Sequence, residues 1–460
     1  MSASPEYPSN QAMTSDPSAA AARPAASAPS ANPERPAPRP RRWRPPADAR
    51  PGILLIVASV IALALANSPL ADGFHALLQT PVGPALAADG PLTVHAWIAD
   101  GLLVVFFFVT GVELRAEFTT GSLSSPRRAV VPIAAALGGM AAPAGIYLLV
   151  NLLAGQAGQP HGWAVPTATD IAFAVSLLAL VAPGVSAGAR AFLLALAVAD
   201  DLFAIIVIAV FYTGGGSFAW LAGAAAAIAA FWAVATAGRR VALRGVPDGP
   251  RFPRRRAALW ALTISGLGLA AIAWWCTLRS GVHPTIAGVA LGLAIAPDAS
   301  ARVLATLEPV STWAAVPLFA FVSAGVPVGL DALADAAGDP VSIGVLAGLV
   351  LGKPLGILVV TWLVTRLTGR ASARDAGGVP DGASTPGGSS EAGASWPDLW
   401  VVAILAGVGF TVSLLVASLA FDSAEHVANA TVAVLAASVV APLLASVAWR
   451  LIRRRRAASR

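Results

Sequence analysis

The chain has 460 residues, of which 57% are hydrophobic and only 12% charged, and its mean hydropathy is +0.73. Soluble domains carry near a quarter charged residues, so a soluble enzyme or scaffold is excluded and a polytopic membrane protein is implied. The net charge of +6 does not point to nucleic acid, because the arginines fall in blocks between apolar segments and at both termini, as membrane topology requires.

Residues 1–50 are rich in Ala, Pro and Ser and end in the basic patch RPAPRPRRWRPPADAR, a composition that predicts a disordered tail. The next segment, apolar from Pro51, starts too far along the chain, and lacks the small-residue cleavage site, to be a signal peptide. Twelve apolar segments recur, at 51–67, 96–116, 129–151, 166–183, 188–212, 217–237, 257–278, 284–296, 305–328, 341–365, 398–420 and 428–449. The eighth is barely long enough to cross a bilayer. Between the first two, TPVGPALAADGPLTV has the composition of a turn between short extended pieces, and a small external hairpin is expected. The second span carries Asp100, Glu113, Arg115 and Glu117. Glu113 and Glu117 fall one turn apart near its cytoplasmic end, where they either line a cation funnel or pair with a nearby arginine.

The fourth span opens with PTATDIAFAVSLLAL, and Pro166, Thr167, Thr169 and Asp170 favour an interrupted helix whose freed backbone groups line a cavity. The competing reading makes Thr169 or Asp170 a helix N-cap at the membrane surface. In the fifth span, ARAFLLALAVADDLFAIIVIAVFYT, the adjacent acids Asp200 and Asp201 are flanked by apolar residues on both sides, near the bilayer midplane. Ionised groups are most costly there, so such a pair is a candidate ion or proton site. Residues 238–256 form a basic loop between two halves of the bundle that could also contact anionic lipid. The single cysteine, Cys276, excludes an internal disulfide and offers no metal-ligand cluster. His283, in SGVHPTIAG, stands at the outer edge of the eighth span as either a pH-responsive imidazole or a plain helix-start residue.

The 30 basic residues are 29 Arg and one Lys, and that lysine is Lys353, inside the tenth span VLAGLVLGKPLGILVVTWLV. Arginine stays protonated, whereas a buried lysine can release its proton; the bland alternative is a leftover of biased codon supply. Residues 371–396 are rich in Gly, Ser and Pro and read as an unstructured insertion. The eleventh span holds Gly407, Gly409 and Thr411 near its middle, which serve either close helix packing or a second helix break. Breaks in matching places of two halves mark inverted repeats, here spans 3–5 and 10–12. Crossing beside the fifth span, the breaks would leave half-helix dipoles that Asp170 and Lys353 offset.

Arginines before the first span, at Arg127, Arg128, Arg190, in the 239–256 block, at Arg302, Arg366, Arg370 and Arg374, and from Arg450 onward put both termini and every even-numbered loop in the cytoplasm. The opposite connections hold only Arg279. The fold expected is therefore all-α, with twelve transmembrane helices, inverted repeats and two crossed discontinuous helices, spans 4 and 11. Its parts are a cytoplasmic tail at 1–50, a transporter domain at 51–452 and a basic tail at 453–460. An intramembrane aspartyl protease needs acids facing each other from different helices, and no Gly-x-Gly-Asp stretch is present. A non-transporting sensor leaves Lys353 and the acid pair without a role. A proton-coupled carrier of another small solute stays open, although the expected cavity shows no arginine to receive an organic anion.

With these residues in view, the chain resembles the NhaA-type sodium/proton antiporters of bacteria over about residues 51–452, through FFFVTGVELRAEFTTGSL, PTATDIAFAVSLLAL, FLLALAVADDLFAIIVIAVFYT, SGVHPTIAG, VPLFAFVSAGV, LGKPLGI and LAGVGFTVSLLVASLAF. The resemblance implies a multi-pass protein of the bacterial inner membrane that exchanges sodium or lithium for protons electrogenically, for sodium and pH homeostasis. It also implies a homodimer joined through the external hairpin. By the same resemblance, Asp200 and Asp201 are the cation-binding pair, Asp170 the broken-helix acid and Lys353 the essential lysine. Glu113 and Glu117 match acids near the cytoplasmic funnel, and His283 a histidine tied to pH response. TLEPVSTW departs from the family, with Glu308 directly before Pro309 in place of its acid-and-histidine arrangement. No cofactor is expected; sodium or lithium ions and protons are the cargo. In the expected mechanism Asp200 and Asp201 hold either protons or one dehydrated sodium ion, Thr169 or backbone carbonyls complete its shell, and Lys353 pairs with Asp200 when sodium is absent.

Overall fold

A computed structural model describes residues 49–87, 90–213, 217–243, 253–368 and 394–458. The N-terminal tail, the centre of the 238–256 loop and nearly all of the 371–396 insertion lie outside the described residues. Among those described there is no sheet, only two isolated antiparallel bridges, Pro81↔Thr93 and Ala87↔Gly90. These bridges fall in the stretch expected to form a hairpin, and Trp275 Nε1 and Arg279 donate to its Leu86 and Ala87 carbonyls at 3.1 and 2.8 Å.

The regular structure is otherwise helical. In chain order these are α1 Arg50–Ala66, α2 Ala71–Gln79, α3 Val94–Thr119, α4 Pro126–Leu153, α5 Ile171–Val181, α6 Ala187–Phe211, α7 Phe218–Leu243 and α8 Pro253–Ser280. Beyond them lie α9 Thr285–Leu293, α10 Pro297–Ser323, α11 Leu330–Gly338, α12 Pro340–Leu367, α13 Trp396–Leu405, α14 Phe410–Ala420 and α15 Ala424–Ala458. A 3₁₀ segment, Pro160–Thr167, precedes α5. Eight helices are long and apolar enough to cross a bilayer, or up to 11 spans if each of three bent pairs counts as one. The chain is thus a polytopic helical membrane protein.

Several boundaries differ from the sequence reading, each for a local reason. Two short amphipathic helices, α2 and α11, escaped notice because nine residues are too few to show as an apolar run. Helix α10 begins at Pro297, so Arg302 lies within a helix and not in a connection; its first 14 residues are polar enough to read as loop. Helix α15 continues to Ala458, so the tail boundary at 453 falls inside a helix. There Arg456 donates to Asp398 Oδ1 at 2.8 Å and to Ser395 Oγ at 3.0 Å, pinning the helix to the N-terminal turn of α13.

Of the eight long spans, α6 and α12 are the most interior, with 56% of the most apolar stretch buried in each, against 17% for α7 and 11% for α8. The core around α6 joins Phe192, Leu193 and Leu196 to Val131 of α4, Phe173 of α5, Ile357 of α12 and Val401 of α13. Trp232 of α7 and Trp260, Ile264 and Leu267 of α8 instead face outward, as lipid-facing side chains should. The short α9 is held by close approach to α3: a Cβ at Gly288 would meet the Val104 carbonyl at 2.6 Å, and one at Gly111 the Val289 carbonyl at 2.5 Å. Small residues at this spacing let two backbones touch, which gives a nine-residue helix enough contact to stay buried.

Candidate site at the meeting of two helix breaks

The chain bends by 48° between Pro160–Thr167 and α5, and by 44° between α13 and α14. Proline at 166 and the extended backbone of Ala168 and Asp170 stop helix propagation in the first; Gly407 and Gly409 stop it in the second. Gly407 also packs closely, since a Cβ there would collide with the Leu349 carbonyl of α12, so both readings of that glycine hold together.

The two breaks bond to each other. Asp170 N–H donates to Val408 O at 2.9 Å, and Thr169 Oγ1 donates to Ala406 O at 2.9 Å. Asp170 Oδ1 accepts from Phe173 N–H at 2.9 Å, while Oδ2 accepts from Thr411 Oγ1 at 2.6 Å and Thr411 N–H at 3.3 Å. One carboxylate therefore caps two half-helices, α5 and α14, whose N-termini carry partial positive charge. Asp170 is an N-cap, as one sequence reading had it, but it is 3% exposed and set inside the protein. At the C-terminal end of the 3₁₀ segment the complement appears: Lys353 Nζ donates to the Thr167 carbonyl.

The same Nζ lies 2.8 Å from Asp200 Oδ2, with the lysine 1% and the aspartate 2% exposed, so the expected ion pair is formed. A π-helical turn, Gly348–Gly352, ends at the lysine; the extra residue per turn re-aims Lys353 and the rest of α12, and glycine spacing alone did not announce it. Asp200 Oδ1 is buried without a partner, and among the described residues Asp201, 5% exposed, has neither a hydrogen bond nor an ion pair. Ala168 of the first break, Ala204 of α6 and Val412 of α14 pack together, which sets both breaks about one helical turn from the acid pair. Among the described residues no three His, Cys, Asp or Glu side chains converge on one point, because Asp170 is turned into the breaks. What the arrangement offers is a dry cluster of two carboxylates, one lysine and several backbone carbonyls, able to exchange one monovalent cation for protons.

The remaining candidates sit apart. Glu113, half-buried on α3, lies within electrostatic reach of Glu117 and of Glu308 on α10. His283 stands just before the start of α9, with its Nε2 3.2 Å from Asp100 Oδ1 and its Nδ1 2.7 Å from Thr285 Oγ1. Asp100 stands in a π-helical turn, Trp97–Leu102, and its carbonyl accepts from Trp274 Nε1 at 2.6 Å. Sequence reasoning missed Asn151, fully buried in α4, which accepts from Gln159 N–H at 2.9 Å and donates to Pro340 O at 3.1 Å. It ties α12 to the loop before the 3₁₀ segment, and a lone Asn in YLLVNLLAG was the available signal. Phe410, with φ at +25°, was also missed, and nothing in the sequence marks its backbone.

An all-helical membrane protein whose buried acid pair adjoins two interrupted helices is built as an ion carrier. The model of the family described as Na+/H+ antiporter 1 matches residues 46–377 and 382–449. Curated relatives include the Na(+)/H(+) antiporter NhaA 1 of Frankia alni, 45% identical over 418 residues that cover 87% of each chain. The Na(+)/H(+) antiporter NhaA of Mycolicibacterium smegmatis is 44% identical over 403 residues, 86% of this chain and 84% of the relative. A protein of the same name from Streptomyces avermitilis is 43% identical over 413 residues, 87% and 79%. The chain belongs to the Na+/H+ antiporter 1 family.

Proposed function

We propose that this sodium/proton antiporter exchanges its ions at one site, the carboxylates of Asp200 and Asp201, which take either a dehydrated sodium ion or protons and never both. The observation that carries the reading is the unpartnered, fully buried Asp200 Oδ1 beside a 5% exposed Asp201 that has no hydrogen bond or ion pair among the described residues: a carboxylate oxygen shut away from water next to a second acid needs a cation or protons. With sodium absent, Lys353 holds Asp200 through Oδ2. An arriving sodium ion takes the carboxylate oxygens, Thr169 or a break carbonyl completes its shell, and Lys353 is displaced and gives up its proton. The breaks of the fourth and eleventh spans cross at Asp170, and α9 counts as a short span, which brings the total to twelve. Both termini face the cytoplasm of a bacterial inner membrane, sodium or lithium leaves the cell as protons enter, and two copies join through the 80–93 excursion. Glu113, Glu117 and His283 tune access and pH response at the two faces. When more protons enter than sodium ions leave, each net charge contributes about 2.3 kcal/mol per 100 mV, enough to drive sodium uphill.

The test is sodium-dependent proton flux in proteoliposomes of the purified protein. Wild type should change the pH of the lumen only when sodium or lithium is supplied; Asp201→Asn at wild-type rate would sink the assignment.

A further inference from the structure

Phe410 is the one non-glycine residue with positive φ among those described, at +25°. That backbone is strained for a bulky L-residue, and such strain persists only where the surroundings over-determine it. It occurs at the first residue of α14, directly after the glycine break. The Phe410 ring lies against the Phe173 ring with centroids 4.8 Å apart at 43°, and both residues are 3% exposed. The two aromatics stand in the first turns of the two half-helices that the Asp170 carboxylate caps. Phe173 supplies the N–H that holds Oδ1, and Thr411, the residue after Phe410, supplies the N–H and hydroxyl that hold Oδ2. Two residues before Phe410, the Val408 carbonyl accepts from the Asp170 N–H.

We propose that Phe410 is a positioning residue of the transport site: its tilted ring contact with Phe173 locks the strained turn that commits the Asp170 carboxylate to the ends of α5 and α14, and so keeps that carboxylate out of the cation's coordination shell. The inference rests on the assignment of the cation to Asp200 and Asp201. Asp170 lies within electrostatic reach of Asp201, and the breaks pack against Ala204 one turn beyond the pair. A carboxylate freed from its caps beside the pair is available as an additional hard oxygen ligand. Discrimination between ions of different radius depends on ligand number, cavity size and rigidity, so the ratio of sodium to lithium affinity is the quantity that moves.

Competition of lithium against radioactive sodium, measured on purified full-length protein in detergent, reads that ratio without turnover. Phe410→Ala should change it by about three-fold or more, Phe173→Leu should change it in the same direction, and Phe410→Tyr, which keeps the ring, should stay close to wild type. In an Asp170→Asn background Phe410→Ala should add nothing to the ratio, because the residue acts through that carboxylate. A folded Phe410→Ala protein with a lower melting temperature but the wild-type ratio would show a purely structural role and overturn the proposal. So would a Phe410→Tyr shift as large as that of alanine. Should Phe410→Ala not fold, Phe410→Leu and Phe173→Leu carry the same arms. Sodium binding undiminished in Asp201→Asn defeats the acid-pair assignment instead, a result separate from any change at residue 410.

Discussion

Lys353 answers two acceptors from different parts of the fold, the Thr167 carbonyl at a half-helix C-terminus and the Asp200 carboxylate of α6. Removing one partner of a buried ion pair costs more than the pair contributes, because the survivor stays charged and dry. Lys353→Met should therefore lower stability by about 3–5 kcal/mol, read as a fall in melting temperature of the purified protein, and Asp200→Asn in the same chain should recover much of it. Lys353→Arg tests a different property. Guanidinium keeps the pairing but does not release a proton, so this variant should retain sodium binding while net current on solid-supported membranes is lost. Phe410 belongs to this scale as well: a residue held in the left-handed region costs of order 1–3 kcal/mol, an outlay that marks the break as a functional place.

Helix α9 shows how an element too short to hold itself is kept in place. Its Gly288 and Gly292 lie four apart against the α3 backbone, and a Cβ at Gly292 would collide with the Phe108 carbonyl. Gly292→Val is expected to destabilise by roughly 1–3 kcal/mol or more and to reduce folded yield in size-exclusion chromatography, because the atoms in the way, the Phe108 carbonyl, Gly111 Cα and Val112 N, are all backbone. Gly223→Ala on the lipid-facing α7 is the matched control: its new methyl would meet only Cys276, with Sγ at 3.4 Å, and yield should be unchanged. The broken spans were legible because Pro166, Thr167, Thr169 and Asp170 interrupt an apolar run, and Gly407 and Gly409 interrupt another. The acid pair and the lone lysine were legible for a related reason, since a charge in an apolar segment is costly enough to need a reason of its own. The bonds between the breaks were not legible in the same way, because Asp170 to Thr411 spans 241 positions and no local pattern encodes it. The π-helical turns before Lys353 and around Asp100 were hidden too, since one extra residue in a turn leaves composition unchanged.

Across the long spans of the molecule, burial grades from α6 and α12 down to α7 and α8, and the site draws its acid pair and its lysine from the two most buried. The same gradient explains why charge fails as a guide at the C-terminus. A run of arginines reads as a solvated tail, yet Arg456 reaches back to the 2% exposed carboxylate of Asp398 and stacks over Trp449. That contact fastens the last helix to the first turn of α13, the half-helix whose Ala406 carbonyl receives Thr169. Arg456→Ala leaves a buried carboxylate short of a partner and should cost about 1–3 kcal/mol, seen as a lower melting temperature; Arg456→Lys should recover part of it.

The count of one lysine among 30 basic residues has a chemical consequence. Every other side-chain cation is a guanidinium or an imidazole, so Lys353 carries the sole side-chain amine, and it is 1% exposed. Once the N-terminal amine is blocked, an amine-selective acylating reagent acts as a single-position probe without any engineered label. It reacts only with the uncharged amine and only when solvent reaches it, so its rate of attachment, followed by intact-mass spectrometry, reports how often the centre of the protein opens and in which protonation state. Sodium ions that displace the amine from Asp200 should raise that rate, and the chain thereby records occupancy of its own carrier site as a mass shift.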